Sequence, residues 1–477
     1  MSGAGRAVPV SGPTAALRYR QYSYWLETCD DDLTPRPPLD GSIDVDVAIL
    51  GAGYTGLWTA YYLLKRDPSL RVAILEREIA GFGASGRNGG WVTPGFPLSL
   101  GLLAKRYGAD AARAVALAMF ETVDEVGRVL AAEGIDAHFH KGGALRIARG
   151  RHQLPAIEES WRTYERLGLT EWYERLGPTE LAQRIRVTKA EGALFVKQCA
   201  VVHPGRLVRG LARAVERLGA TIYEGTPVVD FVTGQAPRFV TPRGDVRAKV
   251  LVLAGEAYLS QLPRLRRALI PVYSLIVLTE PVPSEVWQEI GWRNRECVAS
   301  NRYTVDYLSQ TADGRILFGG RGAPYHFGSR IDDAFDRHGP THEMLRQMCY
   351  EWFPILRLKR IGFTHAWGGP LGMPRDWMPT MRYDPGEGLA MACGYTGQGV
   401  ATANLSGRVL ADLIIGHESE LTRLPMTSHR IRPWEPEPIR WLGVRFVQRG
   451  FMRIDDEAER TGRPPSGKSL VERLGEH

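Results

Sequence analysis

The chain has 477 residues, 44% of them hydrophobic and 24% charged, which is the composition of a globular protein long enough for two or three folding units. Its net charge of +7 is a small excess for this length, and its basic residues do not form the aromatic-interleaved face that nucleic-acid binding requires. The five cysteines are far apart and form no CxxC pair, so neither a disulfide framework nor a zinc site is expected. The N-terminus has no apolar signal segment, and no run approaches the about 18 apolar residues of a membrane span. We therefore expect a cytoplasmic protein that binds no metal and no nucleic acid.

The N-terminal region, residues 1–42, is rich first in small residues and then in aromatic ones. We expect a leader without regular structure, followed by an aromatic segment containing Trp25 that packs on the body of the protein. Residues 45–50 then form a short apolar run typical of a buried parallel strand, residues 57–66 look helical, and residues 71–75 form a second apolar run. This order predicts a βαβ unit.

The first predicted strand runs into a GxGxxG motif formed by Gly51, Gly53 and Gly56. In a βαβ unit these glycines permit a tight turn, close approach to a pyrophosphate and close packing of helix on strand, and the helix N-terminus presents its amides to the phosphates. Glu76 ends the second strand, where an acid accepts hydrogen bonds from ribose hydroxyls and disfavours a 2′-phosphate. The motif therefore predicts a dinucleotide site. Its candidate contacts are Gly51, Gly53, Tyr54, Thr55, Gly56, Glu76 and Arg77.

Residues 81–90 form a glycine-rich loop directly after the second strand. Such a stretch does not hold regular structure, and its small residues allow the backbone to approach a large planar ligand. Ser85, Arg87 and Asn88 add hydrogen-bond donors for phosphate or ring oxygens. The alternative is a flexible surface loop, which the position beside the phosphate site disfavours. The candidate contacts in this loop are Gly83, Ala84, Ser85, Arg87, Asn88, Gly89 and Gly90.

The middle of the chain mixes helices with strands. Amphipathic patterns predict mostly helical structure over residues 101–135, 150–190, 205–219 and 332–353. Apolar runs predict strands at residues 143–148, 221–223 and 250–254, and several more within 272–320, where Asp313-Gly314 favours a hairpin.

The nucleotide-binding pattern returns near the C-terminus, where residues 388–415 read as a strand, a glycine cluster and a helix. The amides at the start of this helix would stabilise negative charge on a reduced flavin ring, for which a simple NAD dehydrogenase has no need. The two glycine-rich segments together therefore favour FAD. The candidate contacts are Gly394, Thr396, Gly397, Gln398 and Gly399.

The tail after residue 418 contains a basic amphipathic segment, residues 438–452. We expect a helix docked on its own domain, because such helices are common in soluble proteins. A helix lying on a membrane surface is the alternative that this pattern leaves open.

The GxGxxG motif, the loop GASGRNGG and the C-terminal GYTGQG together resemble the D-amino-acid oxidase, glycine oxidase and sarcosine oxidase superfamily, and GASGRNGG resembles its gamma-glutamylputrescine oxidase-like branch. The resemblance spans about residues 20–460. It implies that Val228 contacts the adenine, that Ala254 and Gly255 line the pyrophosphate, and that Asp376 lies near the flavin. Members with covalent flavin carry a Cys in the region of residues 365–376, which here has none, so non-covalent FAD is implied.

These elements predict an α/β fold (α+β overall), with a Rossmann-like FAD-binding domain and a second, mixed-sheet substrate domain. We expect residues 43–100, 200–262 and 360–418 to form the first domain and residues 101–199 and 263–359 to form the second. Residues 1–42 and 419–477 would be terminal additions to this body.

The resemblance implies oxidation of the C–N bond of a small amine or amino acid to an imine by hydride transfer to flavin N5, with oxygen as acceptor and hydrogen peroxide as product. A dehydrogenase that passes electrons to a quinone or flavoprotein, and a flavin-binding redox sensor without turnover, remain as alternatives. Arg321 is the candidate cation near the ring, or else part of a structural salt bridge. Tyr395 and Trp91 are candidate walls of the substrate pocket, or else core residues. His203 is expected at a helix entry, while Tyr325 and His326 are weaker site candidates.

Overall fold

The computed structural model of the chain describes residues 13–322 and 324–474, and the side chains of all of these except 13–15 and 321. Residues 1–12 of the expected leader lie outside the described residues. The helices α1 to α14 are, in order, Pro13–Arg20, Tyr24–Glu27, Tyr54–Arg66, Leu100–Tyr107, Ala109–Glu133, Leu154–Arg166, Pro178–Arg184, Pro204–Arg217, Ser284–Ile290, Gly339–Trp352, Pro354–Leu358, Gly399–Ile415, Ile439–Thr461 and Leu470–Leu474. The strands β1 to β18 are Ile43–Leu50, Val72–Leu75, Trp91–Val92, Ala144–Arg149, Tyr173–Leu176, Ala190–Val196, Ala200–Val201, Thr221–Tyr223, Asp230–Val232, Arg238–Thr241, Gly244–Leu253, Ile270–Thr279, Cys297–Ser300, Asp306–Gln310, Ile316–Arg321, Phe363–Met373, Thr380–Asp384 and Leu389–Cys393.

A mainly parallel sheet forms the centre of the first layer, with the strand order β17-β18-β11-β1-β2-β8. Its central strands are apolar runs because both faces of the sheet are covered. Val47 and Ile49 of β1 join the core formed with α3, α8 and α12, while Ala48 between them joins a second core on the opposite face. The βαβ unit and the strand–loop–helix unit at residues 388–415 are thus confirmed.

The second layer is a mixed sheet with the order β16-β12-β15-β14-β13-β4-β6-β5. Its hairpin β14–β15 turns at residues 311–315, where the Thr311 amide donates to the Arg315 carbonyl at 3.0 Å, which confirms the predicted turn at Asp313-Gly314. Strand β16 lies within the segment assigned by sequence to the FAD domain, yet it pairs with β12. We therefore propose that this domain boundary lies after Met373.

One sequence expectation holds with an exception, and another requires correction. Residues 150–190 are mostly helical, as predicted, but β5 interrupts them and pairs with β6 in the mixed sheet. Tyr173 of this strand stacks on Tyr164 of α6 with ring centroids 3.7 Å apart, a tertiary contact that outweighs local helix propensity. The tail helix α13 is longer than predicted and is only partly docked, since the side chains of Leu442 and Phe446 remain at least half exposed.

The aromatic segment near the N-terminus packs on the protein as predicted. Tyr24 and Trp25 are buried against Trp367 of β16, and Trp25 Nε1 donates a hydrogen bond to the Asn88 carbonyl at 2.7 Å. None of the helices in residues 13–322 and 324–474 has the length and apolar character that crossing a membrane requires.

Candidate cofactor and substrate site

The first glycine motif forms the turn between β1 and α3. Gly51 has φ +103°, and a Cβ added there would lie 2.8 Å from the Ala254 carbonyl oxygen, so only glycine fits this close approach of two strand ends. A Cβ added at Gly56 would lie 2.0 Å from the Gly51 carbonyl oxygen. The residue that precedes helix α3, Gly53, has no side chain to cap it, and the Tyr54 amide donates to Ser85 Oγ, so the amides that follow Tyr54 are the ones available to an anion.

Glu76 holds the position beside this turn that the sequence predicts for a ribose acceptor. It follows β2, and its carboxylate accepts from the Ala52 amide at 3.0 Å and from the Glu78 amide at 2.9 Å. Burial raises the pKa of Glu76 to about 7, although both amides oppose the rise. The side chain is thus fixed by the backbone while one side of it faces a cavity.

A cavity of about 530 Å³ runs along these elements. The predicted cofactor residues that line it are Gly51, Gly53, Tyr54, Thr55, Glu76, Arg77, Gly83, Ala84, Ser85, Asn88, Val228, Ala254, Gly255, Gly397 and Gly399, and the predicted pocket wall Tyr395 lines it as well. Sequence reasoning missed Glu256, Tyr258, Pro370 and Leu371 on the same wall. The signal for Glu256 was an acid placed directly after the buried strand β11, where ligand-binding residues of parallel sheets stand.

The loop after β2 is held by its own polar side chains. Ser85 Oγ accepts from the Tyr54 amide at 2.9 Å, and Asn88 Nδ2 donates to the Ala84 and Ser85 carbonyls at 3.1 and 3.0 Å. Gly89 lies outside the cavity lining and makes room for the ring of Tyr307, since a Cβ there would lie 2.6 Å from it. The loop is therefore an ordered wall of the cavity and not a flexible surface loop.

Arg87, predicted to donate to the ligand, has a different role. Its guanidinium is buried, pairs with Asp336 and donates to the Phe82 carbonyl at 2.8 Å. It also lies over the Phe82 ring, with Cζ 4.3 Å from the centroid. Burial raises the pKa of the Asp336 carboxyl, and the neighbouring Arg87 opposes that rise. Arg87 therefore joins the loop to the turn Asp333–Arg337 next to the mixed sheet, because the direct pair with Asp336 compensates its buried charge.

The C-terminal glycine cluster is anchored by Glu256. One carboxylate oxygen of Glu256 accepts from the Gly394 amide at 3.2 Å and from the Tyr395 amide at 2.8 Å. The Tyr395 hydroxyl lies 3.0 Å from Thr55 Oγ1 and donates to Ser406 Oγ at 3.0 Å, so it connects α3 to α12. Helix α12 begins without a side-chain cap, like α3, and both helices open towards the cavity.

Other residues of this cluster shape the backbone. Thr396 has φ +49° and Gly397 has φ +103°, which turns the chain into α12. The Gln398 amide donates to the Tyr395 carbonyl at 2.8 Å. Gly394, Thr396 and Gln398 do not line the cavity, and the turn to which they belong leads the chain into the start of α12.

Three further candidates lie elsewhere. Asp376, implied to be near the flavin, lines neither large cavity; its carboxylate lies 3.4 Å from His429 Nε2, a residue of the tail. Trp91 also lines neither cavity and donates from Nε1 to the Leu308 carbonyl at 3.2 Å, which matches its core alternative. The Arg321 backbone ends β15 opposite Ser274, and its side chain lies outside the described residues.

The histidine and tyrosine candidates have structural partners. His203 caps α8 by accepting from the Arg206 amide at 3.2 Å, as its expected place at a helix entry requires, and burial lowers its pKa to about 3. His326 stacks on Phe335 with ring centroids 3.4 Å apart. The Tyr325 hydroxyl donates to Glu437 at 3.1 Å.

A second cavity, of about 560 Å³, lies between α13 and the adjoining ends of β12 and β16. Val272 of β12 lines it and pairs in register with Leu371 of β16, which lines the first cavity. Met373, at the end of β16, and Trp377, just beyond it, also line the second cavity. The two cavities are therefore neighbours across one strand pair, as a cofactor site and a substrate site need to be.

Glu256 gives the protein without cofactor a pH-dependent stability. Burial raises its pKa from 4.5 to about 7, so the folded state binds more protons than the unfolded state between these values. The free energy of unfolding should therefore fall as pH rises through this range, by about 1.4 kcal/mol for each unit of the rise. Glu76 and Asp336 also have raised pKa values and contribute to the same slope. We therefore expect Glu256→Gln to remove only the Glu256 share, about 1.4 kcal/mol per pH unit, in urea unfolding measured from pH 4.5 to 8, with the exposed Glu289→Gln as control. An unchanged slope in Glu256→Gln would contradict the assignment.

Two glycine turns, two uncapped helix N-termini and a buried acid beside one elongated cavity define a dinucleotide-binding oxidoreductase of the Rossmann class, and the residues present fit FAD. The family described as "DAO: FAD dependent oxidoreductase" matches residues 46–413. The chain belongs to this family of FAD-dependent oxidoreductases, which act on amines and amino acids.

Relatives and solved structures agree with this assignment. The chain is 31% identical over 386 residues to a gamma-glutamylputrescine oxidoreductase of Escherichia coli, a match that covers 80% of this chain and 86% of that protein. It is 23% identical over 401 residues to a glycine oxidase of Geobacillus kaustophilus, covering 81% and 97% of the two chains. The crystal structure of glycine oxidase from Geobacillus kaustophilus shares the fold with a TM-score of 0.64, at 23% identity and with 81% and 99% of the chains covered. L-proline dehydrogenase from P. horikoshii matches with a TM-score of 0.65, at 20% identity over 81% and 96% of the chains.

Proposed function

We propose that this chain binds FAD non-covalently and oxidises the C–N bond of a small amine or amino acid to an imine. The observation that carries the proposal is the pair of neighbouring cavities, one lined by the residues of a dinucleotide site and the other lined by apolar residues together with several arginines. When bound, FAD supplies the acceptor for the hydride that leaves the carbon next to the nitrogen. The imine then hydrolyses in water to a carbonyl compound and an amine.

Different residues that line the first cavity would contact different parts of FAD. The turn at Gly51 and the α3 amides would hold the pyrophosphate, Glu76 the ribose and Val228 the adenine. The α12 amides would lie by the ring and stabilise negative charge on it. Of the described cysteines and histidines, none lines this cavity, which supports a non-covalent cofactor.

The second cavity would position the substrate. Val272, on the side nearest the first cavity, and the neighbouring Met373 and Trp377 would offer apolar surface to the carbon chain of the substrate. An amine that arrives neutral needs no acid–base pair for hydride loss. Such a site binds and orients the substrate, and the chemistry resides in the cofactor.

The test is to mix the FAD-loaded protein with a panel of amines in the absence of air and to follow the visible flavin absorbance. We expect one class of amine to bleach the band and air to restore it quickly, with hydrogen peroxide formed in equal amount. A yellow protein that no amine bleaches would reject amine oxidation and leave a redox sensor as the explanation.

A dehydrogenase is the second candidate, and the exposed face of α13 favours it. Leu442 and Phe446 are 57% and 50% exposed and lie beside basic residues, an arrangement suited to a membrane that holds a quinone. Reduced protein should then react slowly with air and rapidly with a soluble quinone. Fast reoxidation by air alone would reject this candidate.

A further inference from the structure

The second cavity carries an excess of positive charge. Among the described residues, four arginines and one glutamate line it. Arg375 pairs with Glu435 at 3.0 Å, and Arg440 pairs with Glu437 at 2.9 Å. In each pair the glutamate neutralises the charge of its arginine. The charges of the other two arginines, Arg445 and Arg449, are not neutralised in this way.

Arg445 and Arg449 lie one helical turn apart on α13, so their side chains emerge on the same side of the helix. Both line the second cavity, and neither has a carboxylate within 4.0 Å among residues 13–322 and 324–474. Arg445 is half-buried, and burial together with the charge of Arg449 lowers its pKa. Two neighbouring cations without a counterion repel each other, and a bound anion would remove that repulsion.

We propose that Arg445 and Arg449 bind a carboxylate of the substrate, at the end of the molecule away from the reacting C–N bond. This inference rests on the proposed function. The arginines stand on α13, whereas the reacting bond must lie near Val272, on the side nearest the first cavity. A carboxylate accepts charge-assisted hydrogen bonds from guanidinium groups, while a substrate with a cationic far end, such as a free polyamine, would be repelled. The family match ends at residue 413, so α13 is a feature outside it.

Binding of a simple probe tests the site without turnover. Glutarate and its neutral diamide, glutaramide, are titrated into the FAD-loaded protein by calorimetry. We expect glutarate to bind and glutaramide to bind at least about tenfold more weakly, which is about 1.4 kcal/mol. Arg445→Gln and Arg449→Gln should each weaken glutarate binding by about tenfold and leave glutaramide unaffected.

Arg453→Gln is the matched control, because Arg453 lies one turn further along α13, is exposed like Arg449, and differs from it in not lining the second cavity. It should bind glutarate like the unmodified protein. Equal binding of glutarate and glutaramide, or an equal loss of glutarate affinity in all three variants, would overturn the proposal. It would show that Arg445 and Arg449 are solvated surface arginines without a specific anion site.

Kinetics separate this inference from the proposed function. An amine bearing a terminal carboxylate is compared with its carboxamide, and the two arginine variants should raise KM for the first about tenfold with kcat unchanged. If both amines bleach the flavin with equal KM, the inference fails and the proposed function stands. If glutarate binds through the arginines but no amine bleaches the flavin, the proposed function fails and the anion site stands.

Discussion

Gly56→Ala is expected to abolish stable FAD binding. The added Cβ would lie 2.0 Å from the Gly51 carbonyl oxygen, a backbone atom of the turn itself, and 3.1 Å from Ile49 Cγ2. Helix α3 must therefore move away from β1, which takes its amides away from the pyrophosphate. We expect a loss of about 3 kcal/mol, about a hundredfold in FAD affinity, measured by flavin fluorescence quenching.

Gly339→Ala provides the control, because a Cβ at Gly339 meets nothing within 4 Å. This variant should bind FAD like the unmodified protein. If Gly56→Ala retains full FAD occupancy, α3 does not need its close contact with β1, and the assignment of the phosphate site to this turn would be wrong.

Arg87→Met should strongly destabilise the protein, since it leaves the buried Asp336 carboxyl without its counterion. Both side chains are at most 5% exposed, and breaking such a pair costs about 3–5 kcal/mol. The loss should be visible as a lower midpoint in urea unfolding. The double variant Arg87→Met with Asp336→Leu should regain most of it, because no unpaired charge is then buried.

Arg175→Met is the matched control for this prediction. Arg175 pairs with Glu158 at 3.2 Å, but both side chains are about half exposed, and such pairs contribute less than about 1 kcal/mol. Equal effects of Arg87→Met and Arg175→Met would show that burial of the Arg87–Asp336 pair has no energetic consequence.

The cofactor site could be predicted from the sequence because its main residues lie close together in the chain. The turn at Gly51, the helix beginning at Tyr54 and the acid at Glu76 all belong to one βαβ unit. Each is required by backbone geometry that acts over a few residues, namely a positive φ, a close helix contact and a strand end. The glycine cluster before α12 could be predicted for the same reason.

Ion pairs and hydrogen bonds between residues distant in the chain could not be predicted from the sequence. Arg87 was taken as a ligand contact, whereas its partner Asp336 lies 249 residues further on. Glu256 anchors the amides of Gly394 and Tyr395, again from a remote segment. No local pattern indicates which of many charged residues will meet, because a long side chain binds whatever group the fold brings to it.

The sequence by itself therefore determined the α/β fold, the FAD-binding turns and the family, since apolar periodicity and glycine geometry are local properties. Only the tertiary structure decided that Arg87 serves the fold, that Asp376 binds the tail, and that α13 covers a cavity beside the cofactor site. The net charge of the second cavity depends on which of its arginines form ion pairs with a glutamate and which do not. This is a property of contacts between remote segments, and it exists only once the chain has folded.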